Sequence, residues 1–362
     1  MRVSLFKSPI SFEVAPEQSL LDGALGAGLN LPHSCKGGNC GSCRARVVQG
    51  DIHYPHGCPL GLSATEIADG FVLLCQARAR GDVIIETFQV TTPDQTLVKR
   101  LPARIEAARP LSHDVMGLYL RLPAAETFQF EAGQYIDIIL AQNRRRSFSI
   151  VSPPHDARLL ELHVRRVAGG EFSERLFDAD MRSALLTIEG PLGQFVYRPS
   201  TAPMLLIGGG TGLAPLLGML RHVIDNGFER DMTLYWGVRA ERDLYAQATL
   251  EGLVAATTGR AGAGAGDADA PGRPASLRYV PVLSEPSSEW RGARGWVHEA
   301  ALGDIPDLTP YDVYTAGPPA MIEAVRSEFV RRGVAANRLY FDSFDYAPDT
   351  LDRQRISAES KS

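Results

Sequence analysis

Apolar and polar positions alternate in short runs over the first two hundred residues, and the texture then changes to longer apolar blocks. Val3–Phe6 and Ser11–Val14 read as strands, followed by a helical pattern over Ser19–Ala27. A cysteine-rich loop comes next, then a β-rich stretch, Cys43–Tyr54, and strand candidates at Val72–Gln76 and Val83–Thr87. Thr91–Leu101 is polar, carries one proline and reads as a linker. Six strand candidates follow: Ala103–Arg109, Met116–Leu122, Gln134–Leu140, Ser147–Val151, Leu160–Val167 and Leu185–Glu189. One short helix is expected around Ser173–Phe177. Antiparallel strands in this span imply a small closed barrel, because closure removes exposed edges.

After Pro203, apolar strands alternate with helical patterns. The strands are Met204–Ile207, Thr233–Gly237, Leu277–Leu283, Val313–Ala316 and Leu339–Phe341. That alternation implies a parallel, doubly wound sheet. Ala255–Ser276 is a Gly/Ala/Pro-rich stretch without core-forming residues, and a disordered surface insertion is expected within it, over 258–275. The tail after Asp349 is similarly polar.

The length of 362 residues suggests two or three domains, and 44% hydrophobic content is enough for real cores. A net charge of −5 gives no global pull toward nucleic acid. The uncharged run Pro199–Leu220 is long enough to span a bilayer, but its glycines and prolines read as strand, turn and helix. The N-terminal MRVSLFKSPISFEV has no signal-peptide apolar stretch, so a cytoplasmic protein without a membrane segment is expected.

Five cysteines argue against a disulfide framework. Cys35, Cys40 and Cys43 form C-x4-C-x2-C, and Cys75 follows 32 residues after Cys43. This is the plant-type ligand spacing of a 2Fe-2S cluster. Gly37, Gly38 and Gly41 let the backbone approach the cluster sulfurs closely. A zinc site would favour two C-x2-C pairs instead. Cys58, in H-G-C-P-L-G, is set aside as a non-ligand, because Cys75 is expected within an apolar strand at the required spacing.

Three motifs follow in the barrel segment. Arg144, Arg145 and Arg146 run into Ser147-Phe148-Ser149. Gly169-Gly170-Glu171-Phe172-Ser173 opens the short helix, with Ser173 read as its N-cap, and Gly190–Phe195 closes the segment. An arginine on a strand and a glycine-rich helix start can clamp a pyrophosphate together. Leu206–Pro215, L-I-G-G-G-T-G-L-A-P, then joins a strand to a helix, and Tyr314–Met321, Y-T-A-G-P-P-A-M, does so again. Two such turns would flank one crevice of an open α/β sheet.

With these residues in hand, the chain resembles the single-chain NADH-dependent iron–sulfur flavoprotein reductases, in which a plant-type ferredoxin domain is joined to a ferredoxin–NADP reductase-like module. The resemblance implies an N-terminal β-grasp ferredoxin domain (1–92), a linker (93–101), a six-stranded antiparallel Greek-key FAD barrel (102–200), a five-stranded parallel α/β NAD-binding domain (201–346) and a flexible tail (347–362). It implies that Cys35, Cys40, Cys43 and Cys75 hold the cluster. Arg146 contacts the flavin pyrophosphate, Phe148 packs on the flavin and Ser149 hydrogen-bonds near its N5. Gly169, Gly170 and Ser173 hold the pyrophosphate, and His163 and Arg165 join the cofactor contacts. Gly209, Gly210, Thr211, Gly212 and Arg239 line the nicotinamide cofactor, and Ala316, Gly317 and Pro318 match the family's nicotinamide turn. Phe344 and Asp342 belong to the C-terminal F-D-S-F, with Asp342 and Ser149 as the catalytic candidates. Phe148 stands where the family usually has Tyr, Ala316 where it often has Cys, and Asp342 where it has Glu.

NADH delivers two electrons as a hydride, whereas an iron–sulfur cluster passes one at a time. A flavin exchanges either, so it belongs between them. The implied path is NADH to FAD to cluster to a partner protein, and the partner expected is the terminal component of a mono- or dioxygenase. A CDP-deoxysugar 3-dehydrase system is the alternative, and a non-turnover redox sensor is the reading from a different class. Lys36 and the small residues around it suggest a cluster loop that lies flat against that partner. A monomer is expected, as is a preference for NADH, since Glu241 and Asp243 stand beside Arg239 and Arg242.

Overall fold

The computed structural model describes residues 1–29, 31–33, 36–38, 41, 43–59, 61–62, 64–87, 98–227, 229–262, 276–344 and 350. Cys35 and Cys40 lie outside them, as do residues 263–275 of the expected insertion, most of the linker and the tail.

In the N-terminal unit a five-stranded sheet has the order Ser11–Glu13, Arg2–Leu5, Val83–Glu86, Arg44–Gln49, Phe71–Leu73. Arg2–Leu5 pairs antiparallel with Ser11–Glu13 and parallel with Val83–Glu86. Alternating Val3, Leu5, Ala45 and Ile85 point into a core shared with Leu20 and Leu21 of the helix Leu20–Gly26. Ser19 starts that helix by accepting a hydrogen bond from the Asp22 N–H at 3.0 Å. Gly23 lets the helix lie close to the sheet, since a Cβ there would sit 2.2 Å from Val14 Cγ1.

The second unit is a six-stranded antiparallel sheet in the order Arg145–Ser149, Tyr135–Ile139, Leu185–Leu192, Lys99–Pro110, Val115–Arg121, Leu159–Arg165. An antiparallel bridge between Ile150 and Leu162 joins its two ends, so the sheet closes on itself. Leu118, Leu120, Ile136, Ile138, Leu160, Leu162 and Ile188 fill the interior. The strand begins at Lys99, so Lys99–Leu101 are not linker: they pair with Gly190–Ile188, and Leu101 is buried. The helix runs longer than expected, over Glu171–Asp178, and its N-cap is Gly170, not Ser173.

The third unit is a parallel sheet ordered Ala293–Arg294, Leu277–Leu283, Met232–Val238, Met204–Gly209, Asp312–Gly317, Leu339–Ser343. It has six strands where five were expected. The extra one is a two-residue edge strand, too short to leave a pattern in the sequence. Helices cover both faces, and the core divides accordingly. Leu206, Leu234, Trp236 and Tyr314 lie on one side, and Leu205, Ile207, Tyr235 and Val313 on the other. The expected insertion starts too early. The helix Gln247–Gly262 continues through 255–262, where alanines favour helix and the Thr257 and Thr258 hydroxyls bond back to the Val254 carbonyl at 2.8 and 2.9 Å.

The chain winds from Met204–Gly209 outward to one edge, then returns to place Asp312–Gly317 on the other side of that strand. The strand order reverses between these two, and this is where an open α/β sheet opens a ligand crevice.

Candidate functional site

At the reversal, two turns meet. Gly209 ends one strand and Gly317 the other, and Gly210 takes φ +55°. A Cβ on Gly212 would lie 2.0 Å from the Ala316 carbonyl oxygen, and one on Gly209 would lie 2.7 Å from Met321 Sδ. These glycines therefore serve close packing of the two turns as well as exposure of backbone amides. The helix Leu213–Asp225 starts at the first turn and Pro319–Arg331 at the second, so two helix N-termini flank the crevice.

A cavity of about 410 Å³ opens there, lined by Gly209, Gly210, Thr211, Arg239, Asp243 and Pro318 together with residues of the barrel. The barrel contributes Arg165 and Asp114, which pair at 2.8 Å. Arg239 Nη2 stands 3.8 Å from Asp114 Oδ2, and its Nε lies 3.6 Å from Asp243 Oδ2. Sequence reading put Asp243 beside Arg239 but missed Asp114, which only barrel closure brings to the cavity beside Gly209 and Gly210. Glu241 faces elsewhere, accepting from the Ser287 N–H at 3.1 Å. The volume, the two turns and the amides at the helix starts suit a dinucleotide.

His163 stands at the same seam with both ring nitrogens engaged by protein. Nδ1 lies 3.1 Å from the Tyr245 hydroxyl and Nε2 lies 3.2 Å from Glu161 Oε1. Glu161 also accepts from Arg221 of the helix Leu213–Asp225 at 2.6 Å. Burial would raise its pKa, but the His163 contact and the Arg221 charge outweigh that and hold it at about 2.

On the barrel, Arg146, Phe148 and Ser149 occupy one strand, and the rings of Phe148 and Phe172 lie 5.6 Å apart. Arg144, just before that strand, pairs with Glu171, so the strand start and the helix start are adjacent. Gly169 takes φ +74°, and a Cβ on Gly170 would sit 2.5 Å from Ser173 Oγ. Ser173 Oγ accepts from the Val167 N–H at 3.1 Å and donates to the Gly170 carbonyl at 3.1 Å. It thus shapes the turn from within. A glycine turn, a helix start and an arginine-bearing strand fit an FAD pyrophosphate. Asp342 is buried beside Ala316, and the Phe344 N–H donates to the Gly317 carbonyl at 2.9 Å, so the C-terminal candidates join the second turn.

Of the four expected ligand cysteines, Cys43 and Cys75 are described, and both are buried. Cys75 is not within a strand: it sits in the turn after Phe71–Leu73, where the Gln76 and Ala77 N–H groups both donate to the Leu73 carbonyl at 3.0 Å. Gly38 and Gly41 take φ +84° and +72°. A Cβ on Gly38 would strike the Gln76 side chain at 2.8 Å, so the loop and the Cys75 turn are held in contact. Two buried cysteines in adjoining turns, linked by the Leu74 N–H donating to the Cys43 carbonyl at 3.0 Å, fit a 2Fe-2S cluster. Cys58 is exposed.

Three family models match the chain. They are the 2Fe-2S iron-sulfur cluster binding domain over residues 4–80, the oxidoreductase FAD-binding domain over 102–197 and the oxidoreductase NAD-binding domain over 206–327. The chain is 34% identical over 344 residues to the CDP-6-deoxy-L-threo-D-glycero-4-hexulose-3-dehydrase reductase of Yersinia pestis, covering 95% of this chain and 98% of the other. It is 35% identical over 350 residues to the xylene/toluene monooxygenase electron transfer component XylA of Pseudomonas putida, covering 96% and 94%. The crystal structure of the Amycolatopsis cytochrome P450 reductase GcoB superposes with a TM-score of 0.76 at 33% identity, covering 95% and 98%.

Proposed function

This chain belongs to the NADH-dependent iron–sulfur flavoprotein reductases, electron-transfer enzymes that use FAD and a 2Fe-2S cluster, and from that premise we propose that its electron acceptor is the terminal component of a multicomponent oxygenase. The observation that carries the proposal is the full-length likeness to reductases of oxygen-activating systems in both sequence and fold. A second reading, donation to a CDP-deoxysugar dehydrase, is favoured by the Yersinia pestis relative.

In this reading Cys35, Cys40, Cys43 and Cys75 hold the cluster. Arg146, Phe148, Ser149, Gly169, Gly170 and Ser173 hold FAD. The turns at Gly209–Gly212 and Ala316–Pro318, with Arg165 and Arg239, hold NADH. His163 acts through Tyr245 and Glu161, setting the seam between barrel and nucleotide domain. Ser149 and Asp342 border the flavin. The boundaries are those of the sequence reading, with the barrel beginning at Lys99. In this reading the protein works in the cytoplasm as a monomer. Among the described residues no helix is long and apolar enough to cross a membrane.

The test is anaerobic stopped-flow mixing of the NADH-reduced protein with an oxygenase component and, separately, with a dehydrase component. Rapid cluster reoxidation by the oxygenase component alone is expected. Reoxidation by the dehydrase component alone assigns the second reading.

A further inference from the structure

The cofactor assignments leave open what seats the cluster loop on the flavin barrel. The described residues of that loop include Lys36, whose backbone takes φ +53°. Its carbonyl accepts from Gln76 Nε2 at 2.8 Å, which ties it to the Cys75 turn. Its side chain leaves the ferredoxin unit altogether and donates from Nζ to Asp137 Oδ2 at 2.9 Å, 101 residues away in the barrel.

Asp137 is a prepared acceptor. Its side chain is 0% exposed, and that of Lys36 is 21% exposed. Ser147 Oγ donates to Asp137 Oδ1 at 2.6 Å, and Arg145 Nη1 stands 3.3 Å from Oδ2. Arg145 is in turn paired with Glu189, so two acids and two bases balance at the seam. Tyr135 widens the contact. Lys36 Nζ lies 5.6 Å from its ring centre, and the His33 ring meets it edge-on at 5.9 Å. Tyr135 and Asp137 pair in register with Ser149 and Ser147, so the anchor is built into the strand pair that carries Phe148 and Ser149. Lys36 therefore faces inward to the chain's own barrel.

We propose that Lys36 is a positioning residue that docks the cluster loop on the flavin barrel through Asp137 and so sets the rate of electron transfer from flavin to cluster. The proposal rests on the family's electron path. The step it serves moves one electron at a time from reduced flavin to oxidised cluster, with the flavin protons passing to water. No bond forms or breaks at Lys36 or Asp137.

The experiment uses the full-length holoprotein with Lys36→Met, Asp137→Asn and both together. In Lys36→Met, iron and flavin content and NADH–ferricyanide turnover should match the unaltered protein within twofold. Cluster bleaching by NADH under anaerobic stopped flow should slow at least tenfold. Amide hydrogen exchange in 135–139 and 145–149 should speed up, a readout independent of turnover. The double variant should be no slower than the worse single variant, since both act through one pair. Unchanged bleaching and exchange in Lys36→Met would overturn the proposal, and so would loss of iron, which would make Lys36 a support of the cluster loop alone. Should Asp137→Asn fail to fold, Lys36→Met decides by itself. Failure of the family reading looks different: the unaltered protein would then show no NADH-driven bleaching at all.

Discussion

At the residue scale, the proposed cluster ligands give the sharpest test. Cys43→Ser or Cys75→Ser should lose iron yet keep NADH–ferricyanide turnover, because the flavin alone supports it. Cys58→Ser should keep iron, and metal analysis beside the diaphorase assay checks all three. Asp114 makes a second prediction. It neutralises Arg165 and stands near Arg239, leaving little net positive charge for a 2′-phosphate. Asp114→Asn should reduce the ratio of kcat/KM for NADH over NADPH roughly tenfold, the scale of about 1.4 kcal/mol. The cysteines were legible in the sequence because three of them share one short loop with fixed spacing. Asp114, Asp137 and Tyr245 were not, because each finds its partner only after the barrel has closed or the domains have met.

At the element scale, the turn at Gly209–Gly212 owes its glycines to a neighbouring strand. A methyl group at Gly212 would collide with the Ala316 carbonyl, which is backbone and has nowhere to go. Gly212→Ala should destabilise the protein by about 1–3 kcal/mol, the usual cost of overpacking, and should weaken NAD+ binding. Denaturant midpoints and calorimetric titration measure the two effects. Residues 263–274 stand at the other extreme, between the helix end at Gly262 and the strand start at Leu277. Replacing them with a short glycine-serine link should leave diaphorase activity within about twofold, since loop length enters stability only logarithmically. Strand periodicity announced every long strand of the barrel and the parallel sheet. It failed at the two-residue edge strand, and composition failed at 255–262, where an alanine-rich helix end looks like low complexity.

At the scale of the whole molecule, the domain order followed from the change in texture at Pro203, whereas the seams between units did not. One seam has a pH signature. Glu161 titrates near 4.5 when unfolded and at about 2 when paired with His163 and Arg221. Its contribution is complete above about pH 4.5 and is lost as the pH falls toward 2; it amounts to at most about 3 kcal/mol. Thermal melts across that window should show a steep acid loss that Glu161→Gln flattens. The same seam is crossed by the helix Leu213–Asp225, which begins at the turn Gly209–Gly212 and delivers Arg221 to Glu161. Midway, Gly218 brings it against the barrel just after Ser149, where a Cβ would lie 2.9 Å from the Ile150 carbonyl oxygen. A helix of 13 residues is about 20 Å long and resists bending. It acts as a gauge rod whose length sets the spacing between the turn at Gly209–Gly212 and the Arg221–Glu161 contact on the barrel. Adding one residue to it would turn everything beyond by about 100°, so evolution can change what these units bind far more easily than how far apart they stand.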